Sequence, residues 1–493
     1  LQPIKPLLIK PLVKEIKTNC SVEELFSVFV DDPFPFWLDS SLAGKMGRYS
    51  FMGSRPFLLL KTWGHQLNIY KKSEERGKEL YSKSTASGSP FKLLKEILHS
   101  YRLHRDDLPF PFLGGAVGFF SYDLGRIIEK IPEDTVDDLK VPDIYLGFYD
   151  SFLVVDHLEN RVYAISSGLD HVGREGVSSP AGAEEKIGRL LEKAKAAAAR
   201  QGSLPDPWEE EDASAEEVQT HFDARSYREA VVRAKEYIAA GDIYQVNLTQ
   251  RLEVPLKMAP FQLYRRLRQR NPAPFASYLD CGGELRVISS SPERFLFVQD
   301  SHVETRPIKG TRPRGRTAEE DEQMRSELLN SEKDKAELVM IVDLERNDLG
   351  RVCSYGTVRV PQLIELEEYA SVFHLVSTVT GTLAPNKDMV DLVRATFPGG
   401  SITGTPKIRA MEIIDELEPV RRGIYTGSIG YIGFDGTADL NIVIRTFVNK
   451  GDRLYLQVGG GIVADSDPQM EYEETLHKAR APLRSLGIEN FSR

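Results

Sequence analysis

Apolar positions recur along this chain at two different periods, and the period changes many times. Short runs rich in β-branched and aromatic residues, as in "RPFLLLKTWGHQLNIYKK" and "IYLGFYDSFLVVDHLENRVYAIS", are bounded by turn formers and predict strands. In "SPFKLLKEILHSYRL" the apolar residues return every three or four positions, which predicts a helix. The same spacing in "SYREAVVRAKEYIAAGD" predicts a second helix that stops at Gly241. "GELRVISSSPERFLFVQDSHVETRPI" then reads as strands joined by turns. The pattern is that of a mixed α+β protein, and it shows no longer period of the kind that marks a solenoid.

One seam interrupts it. In "AKAAAARQGSLPDPWEEEDASAEEVQTHF" an alanine-rich helical tail meets Gly202, Pro205 and Pro207 and then an acidic run. A boundary there divides the chain into residues 1–215 and 216–493, consistent with about 150 residues per domain as a loose guide. Composition excludes wholesale disorder, since 41% of residues are hydrophobic and 28% charged. The net charge of -10 argues against a nucleic-acid binder, so an anionic ligand must meet a local cluster of cations or amides. Cys20, Cys281 and Cys353 have neither disulfide nor zinc spacing, which fits a reducing cytoplasm. No apolar run reaches the roughly 18 residues of a membrane span. The start, "LQPIKPLLIKPLVKEI", is broken by prolines and lysines and suits neither a signal peptide nor an anchor.

The candidate chemistry lies almost wholly after the seam. "NSEKDKAELVMIVDLERND" predicts a helix opened by Ser331, with Asp334 as its capping-box partner and Glu337 on the same side. "DSDPQMEYEETLHKAR" predicts a helix from Asp467 and Pro468 that places Glu471, Glu474 and Lys478 on one face. Two readings stand for these carboxylates: solvated helix faces, or oxygen ligands around Mg²⁺. "PGGSITG" and "GGGIVADS" match no nucleotide-binding pattern and read either as tight turns or as backbone amides for a carboxylate. Arg445, on the apolar strand "NIVIRTF", needs an anionic partner. His374 in "SVFHLVSTV" reads as a buried, ordinarily hydrogen-bonded histidine, and Glu293 in "SSSPERF" as a turn residue paired with Arg294 or a general acid. By itself Lys309, in "ETRPIKGTRPRGRT", belongs to the basic surface around it.

The order of these motifs resembles the chorismate-utilising enzymes over residues 222–486, with "MIVDLERND", "PGGSITGTPK" and "GGGIVADS" the most specific. The resemblance implies a large mixed chorismate-binding fold, its packed β-sheets flanked by helices, preceded by an N-terminal α+β domain like that of anthranilate synthase component I. Residues 37–53, with "WLDSS" and "GRYSFMG", are similar to the segment that holds tryptophan in anthranilate synthases. The resemblance places that ligand at Leu38, Asp39, Ser40, Arg48, Tyr49 and Ser50. Where anthranilate synthases read P-I-A-G-T-R this chain has "PIKGTR", the mark of the aminodeoxychorismate synthase branch, and "NPAPFASY" also departs from their pattern. Isochorismate synthases carry a lysine base where Gln245 stands, which disfavours addition of water.

The resemblance implies that Lys309 adds to C2 of chorismate as the C4 hydroxyl leaves, and that ammonia then attacks C4 and expels the lysine from C2. Glu293 matches the acid, with His374 nearby. Glu337 and Glu474 match the Mg²⁺ ligands, with Asp334 and Glu471 around the metal's waters. Ser401, Tyr425, Arg445, the amides of Gly459 and Gly461, and Lys478 match substrate-binding positions. None of "TNCSV", "LDCGG" and "RVCSY" provides the nucleophile turn of a class I glutaminase, so ammonia must be free or come from a separate glutamine amidotransferase subunit. A second enzyme would then complete 4-aminobenzoate for folate. The rival readings are anthranilate synthase component I and a non-catalytic regulatory protein that binds tryptophan or chorismate.

Overall fold

The computed structural model describes residues 7–491 apart from positions 43, 45, 76, 77, 104, 106, 107, 171–176, 370 and 371, so the first six residues of the prolyl start lie outside it. The alternating runs form strands, and these assemble into two large antiparallel sheets of twelve strands each. Leu58–Trp63 and Gln66–Glu75 make a hairpin whose turn places Gly64 at φ 56°, a conformation glycine adopts without strain. The run "IYLGFYDSFLVV" does not stay in one sheet. Ile144–Tyr149 joins the first and Ser151–Asp156 the second. Asp150 sits at the crossing, where it accepts the Leu169 N–H at 2.9 Å and the Lys186 ammonium at 2.5 Å.

The same crossing occurs at "NIVIRTF". Ala438–Asn441 ends in the first sheet and Thr446–Lys450 begins in the second. Arg445, expected on a strand, therefore lies in the break between them with φ 54°, a left-handed conformation that non-glycine residues adopt at a cost.

Neither half of the chain owns a sheet. Gly115–Phe120 pairs with Ser428–Gly433 in the first, and Phe36–Asp39 pairs with Phe275–Asp280 in the second. The core is continuous as well: Trp37, fully buried, packs on Phe26 at 5.1 Å and on Tyr264 at 5.2 Å between ring centroids. The seam near residues 200–220 exists as a passage between the helix Pro180–Ala199 and the strand Gln219–Thr220. At 215 the chain changes path, while the core runs on across it.

Helices cover the sheets where the periodicity placed them. Pro90–Ser100 starts at Ser89, whose hydroxyl accepts the Lys92 N–H at 3.3 Å. Ala224–Ala240 ends at Gly241 with φ 84°. Glu332–Gly350 and Pro468–Arg484 begin at Ser331 and Asp467 as expected. Among the described residues no helix is long and apolar enough to cross a membrane.

Because strands from both halves interleave, residues 216–493 produced alone should lack a cooperative unfolding transition. Co-expression with residues 1–215 should restore it. Circular dichroism on heating checks this, and a sharp melt of the isolated fragment would refute it.

Candidate active site

Lys309 answers to a bulge. Its strand, Ile308–Pro313, pairs with Val372–Thr382, and the register slips between Lys309 and Thr311. Gly310 takes up the slip with φ 78°, and a Cβ there would stand 2.9 Å from both Asp334 and Leu328. The bulge turns Lys309 inward, where its amine donates to the Ser401 carbonyl at 3.2 Å. Burial lowers its pKa, opposed by Glu337 and Glu293 and assisted by Lys478. The arginines of the same segment take no part: Arg306 pairs with Glu367, Arg312 with Asp334 and Arg314 with Asp321.

Glu293 sits in the turn between two strands and is 6% exposed. It does not pair with Arg294, which is held by Asp439 and Glu304 on the other side of the strand. Its Oε1 instead accepts the Ser401 hydroxyl at 2.7 Å. Burial pushes its pKa up to about 7, although Ser401 and Lys309 favour the charged form. Ser401 thus touches both groups, taking the amine on its carbonyl and giving its hydroxyl to the acid. His374 is half-buried and exchanges a 2.8 Å hydrogen bond with the Thr311 hydroxyl. Burial and Arg445 push it down to about 4, which leaves it neutral at pH 7.

The two carboxylate helices face one cleft. Glu337, on Glu332–Gly350, has a raised pKa through burial, and Asp334 and Glu474 add to the rise. Glu471 is likewise raised by burial, though the Ser466 hydroxyl donates to it at 2.6 Å. Glu474 opens to solvent. Burial raises its pKa, but Lys478, 2.6 Å away, outweighs this and holds it low. Asp334 does not close the expected capping box. Ser331 caps its N–H at 3.2 Å, but its carboxylate turns to Arg312 at 3.1 Å. Among the described residues no three carboxylates converge at metal-binding distance. The donors still suit a hard divalent cation that keeps several waters, because Glu471 and Glu474 meet over Gly460. A Cβ on Gly460 would lie 3.2 Å from one carboxylate, 3.4 Å from the other and 3.8 Å from the Lys478 ammonium, so the glycine keeps a side chain of its own out of this space. Gly460 and Lys333, whose charge reaches Glu337, Glu471 and Glu474, were not singled out in the sequence.

Strand pairing explains the remaining glycines. Gly459 and Gly461 stand opposite Thr249 and Asn247. The N–H groups of those two residues go elsewhere, to Glu418 at 3.0 Å and to the Thr403 carbonyl at 2.8 Å. Such pairs are the non-hydrogen-bonded kind, so the amides of Gly459 and Gly461 point to the opposite edge of Arg453–Ile462. That edge loses its other neighbour after Leu456. Lys478 donates to the Gly459 carbonyl there at 2.8 Å. Arg445 donates to the Lys478 carbonyl at 3.4 Å, and it has no carboxylate partner among the described residues. The Tyr425 turn is tied beside it by the Thr426 N–H, which donates to the Val443 carbonyl at 2.7 Å. Gln245 packs its amide against Gly461, and its buried Oε1 has no partner among the described groups.

A separate cavity of about 300 Å³ is lined by Leu38, Asp39, Ser40, Arg48 and Tyr49. Ser50 lies behind this wall, donating to Asp39 at 3.0 Å and accepting the Ser40 N–H at 3.0 Å. Arg48 is engaged by Asp156 at 2.7 Å. More than half of the lining comes from the second part of the chain, including Ser277, Arg294 and Tyr431, which no local motif could reveal. The Ser277 hydroxyl is buried there without a partner among the described residues.

An acid, an amine, an edge of free amides with an arginine, and paired carboxylates around one cleft define a site for a small anionic substrate. The chain belongs to the chorismate binding enzyme family, whose model matches residues 56–484. It is 42% identical to anthranilate synthase component 1 of Thermus thermophilus, with 92% of each chain covered. It is 41% identical to aminodeoxychorismate synthase component 1 of Bacillus subtilis, with 90% of each covered. Anthranilate synthase component I of Streptococcus pneumoniae superposes with a TM-score of 0.72 at 34% identity, over 90% of this chain and 94% of that one. The menaquinone-specific isochorismate synthase of Escherichia coli shares the fold, with a TM-score of 0.68 at 18% identity over 98% of this chain and 95% of that one. The mixed fold of large antiparallel sheets is that of this family.

Glu293 should carry a measurable stability penalty. Its folded pKa of about 7 lies above the ordinary 4.5, so the folded state holds a proton that the unfolded state has lost across that window. Stability should therefore fall as pH rises from about 4.5 to 7, by roughly 2 to 3 kcal/mol. Glu293→Gln should be more stable than the parent at pH 8 and nearly equal at pH 4.5. Urea titrations at the two pH values check this; equal midpoints at pH 8 would contradict it.

Proposed function

We propose that the protein aminates chorismate at C4 to give 4-amino-4-deoxychorismate, taking ammonia from a separate glutaminase subunit in the cytoplasm. One observation carries the reading: the buried amine of Lys309 shares Ser401 with the buried carboxyl of Glu293. Burial favours the neutral amine and the neutral acid, which are the nucleophile and the proton donor that the step needs. The Lys309 nitrogen bonds to C2, the ring double bonds shift, and the C4–O bond breaks as Glu293 protonates the departing oxygen to water. Ammonia then bonds to C4, the C2–N bond breaks, and Lys309 is regenerated; ammonia replaces the hydroxyl with no change in oxidation state. His374, neutral and fixed by Thr311, borders this centre.

Chorismate carries two carboxylates. Arg445 and the amides of Gly459 and Gly461 receive the enolpyruvyl one, with Tyr425 beside them and Lys478 closing the pocket. Glu337 and Glu474 would hold Mg²⁺, with Glu471 and Asp334 at the margin of its water shell. When bound, the ion would neutralise the ring carboxylate. The Gln245 Oε1, without a partner among the described residues, is suited to accept from an N–H donor, and the amide offers no base to activate water. This supports ammonia over water as the entering group. Our reading gives the cavity at Leu38, Asp39, Ser40, Arg48 and Tyr49 to tryptophan, since aromatic rings line it and its Ser277 hydroxyl has no partner among the described residues.

Incubation with chorismate, Mg²⁺ and ammonium should yield 4-amino-4-deoxychorismate by mass; fluorescent anthranilate with release of pyruvate would instead make the protein an anthranilate synthase component. Lys309→Ala and Lys309→Arg should both lose most turnover, because arginine keeps the charge but stays protonated. Near-parent turnover of Lys309→Arg would exclude the covalent step. Arg445→Lys should raise KM, a loss of about 1 to 3 kcal/mol, since a two-pronged contact becomes a point charge. Glu337→Gln or Glu474→Gln should weaken activation in a Mg²⁺ titration, and an unchanged titration curve would remove that residue from the metal site.

A further inference from the structure

The outer edge of the strand Gln245–Pro255 has a gap. It pairs with Gly404–Thr405 at Gln245 and Val246 and with Gln219–Thr220 at Leu252 and Glu253, and among the described residues no strand lies between. A buried ion pair fills the space. Glu418, 4% exposed, accepts the Thr249 N–H at 3.0 Å and the Thr249 hydroxyl at 2.9 Å. Arg422, 2% exposed, grips Glu418 through two bonds of 2.9 and 2.7 Å and donates to the Asn247 carbonyl at 2.6 Å. It also donates to the Ile402 carbonyl at 2.9 Å and the Thr426 hydroxyl at 3.4 Å, with its plane 4.7 Å over the Tyr122 ring.

Each acceptor adjoins a group in the cleft. Ile402 follows Ser401, Thr426 follows Tyr425, and Asn247 stands opposite Gly461. We infer that Arg422, locked by Glu418, is a positioning residue that fixes the Ser401 turn, the Tyr425 turn and the glycine strand relative to one another. This rests on the functional reading above. Arg422 makes no contact with Lys309 or Glu293 and acts through the segments it joins. The planar fork suits the task, because it meets several acceptors at fixed angles where a lysine ammonium offers three mobile donors. An apolar replacement would fill the volume and leave the acceptors unpaired.

The test uses the full chain carrying Arg422→Lys, with Glu418→Gln as the isosteric second variant should the first fail to fold. Amide hydrogen exchange reads the clamp without reference to catalysis. Exchange at Thr249 and Thr403 should quicken at least about tenfold, while Val246 and Leu248 on the same strand keep their parent rates. In steady state, kcat should fall about tenfold or more, and the alkaline limb of the pH profile, set by Glu293, should move to higher pH. The reason is that the Ser401 hydroxyl, which favours the ionised carboxyl, is no longer held in place. Lys309 and Glu345, the other ionisable groups that face Glu293, remain in the variant. Ser401→Ala should move the limb in the same direction, and the double variant should move it no further. A smaller amount of folded enzyme would lower the rate and leave the limb and KM in place, and that outcome overturns the inference. Parent exchange rates at Thr249 and Thr403 also overturn it. Should the parent not turn over chorismate, the functional reading fails, and the exchange pattern alone decides whether Arg422 is a clamp.

Discussion

The site depends on keeping an amine and a carboxyl together out of water. Burial disfavours charge on either, so the Lys309 pKa falls and that of Glu293 climbs to about 7. Their mutual attraction works the other way and favours the ion pair. Ser401 moderates the balance by taking the amine on its carbonyl and giving its hydroxyl to the acid. Burial thus favours the neutral form of each group, the forms in which an amine attacks and a carboxyl donates a proton. Perturbed acids and bases of this kind are found together in clefts because chemistry needs them there.

The architecture makes that arrangement affordable in stability. Two sheets shared by both halves of the chain give one main core, and two of the crossings between them, at Glu293 and at Arg445, lie beside the cleft. At one such crossing Arg445 adopts a left-handed backbone, and beyond Leu456 the glycine strand runs with one edge unpaired. Strain and unpaired amides are tolerable there because the surrounding ladders and the buried Glu418–Arg422 pair hold the segments in register.

The sequence made much of this visible, and its failures have physical causes. Helix starts at Ser331 and Asp467 and the stop at Gly241 follow from local capping chemistry, and they appear where expected. Arg445 was misplaced on a strand because an apolar run looks the same whether it continues or crosses between sheets. The partner of Asp334 was misjudged because Arg312 reaches it across the fold. Division at residue 215 follows a true change in composition, but strand pairing between Phe36–Asp39 and Phe275–Asp280 is non-local and leaves no mark in either segment. The open edge carrying Gly459 and Gly461 could be found only from the register opposite Thr249 and Asn247.

The covalent role of Lys309 is tested most directly by intact-protein mass spectrometry after rapid mixing with chorismate and Mg²⁺ in the absence of ammonia. The protein should gain the mass of chorismate less one water, the gain should map by peptide analysis to Lys309, and it should vanish when ammonia is added. No added mass under ammonia-free conditions in an enzyme that turns over once ammonia is supplied, or an adduct on any other residue, would contradict a lysine nucleophile.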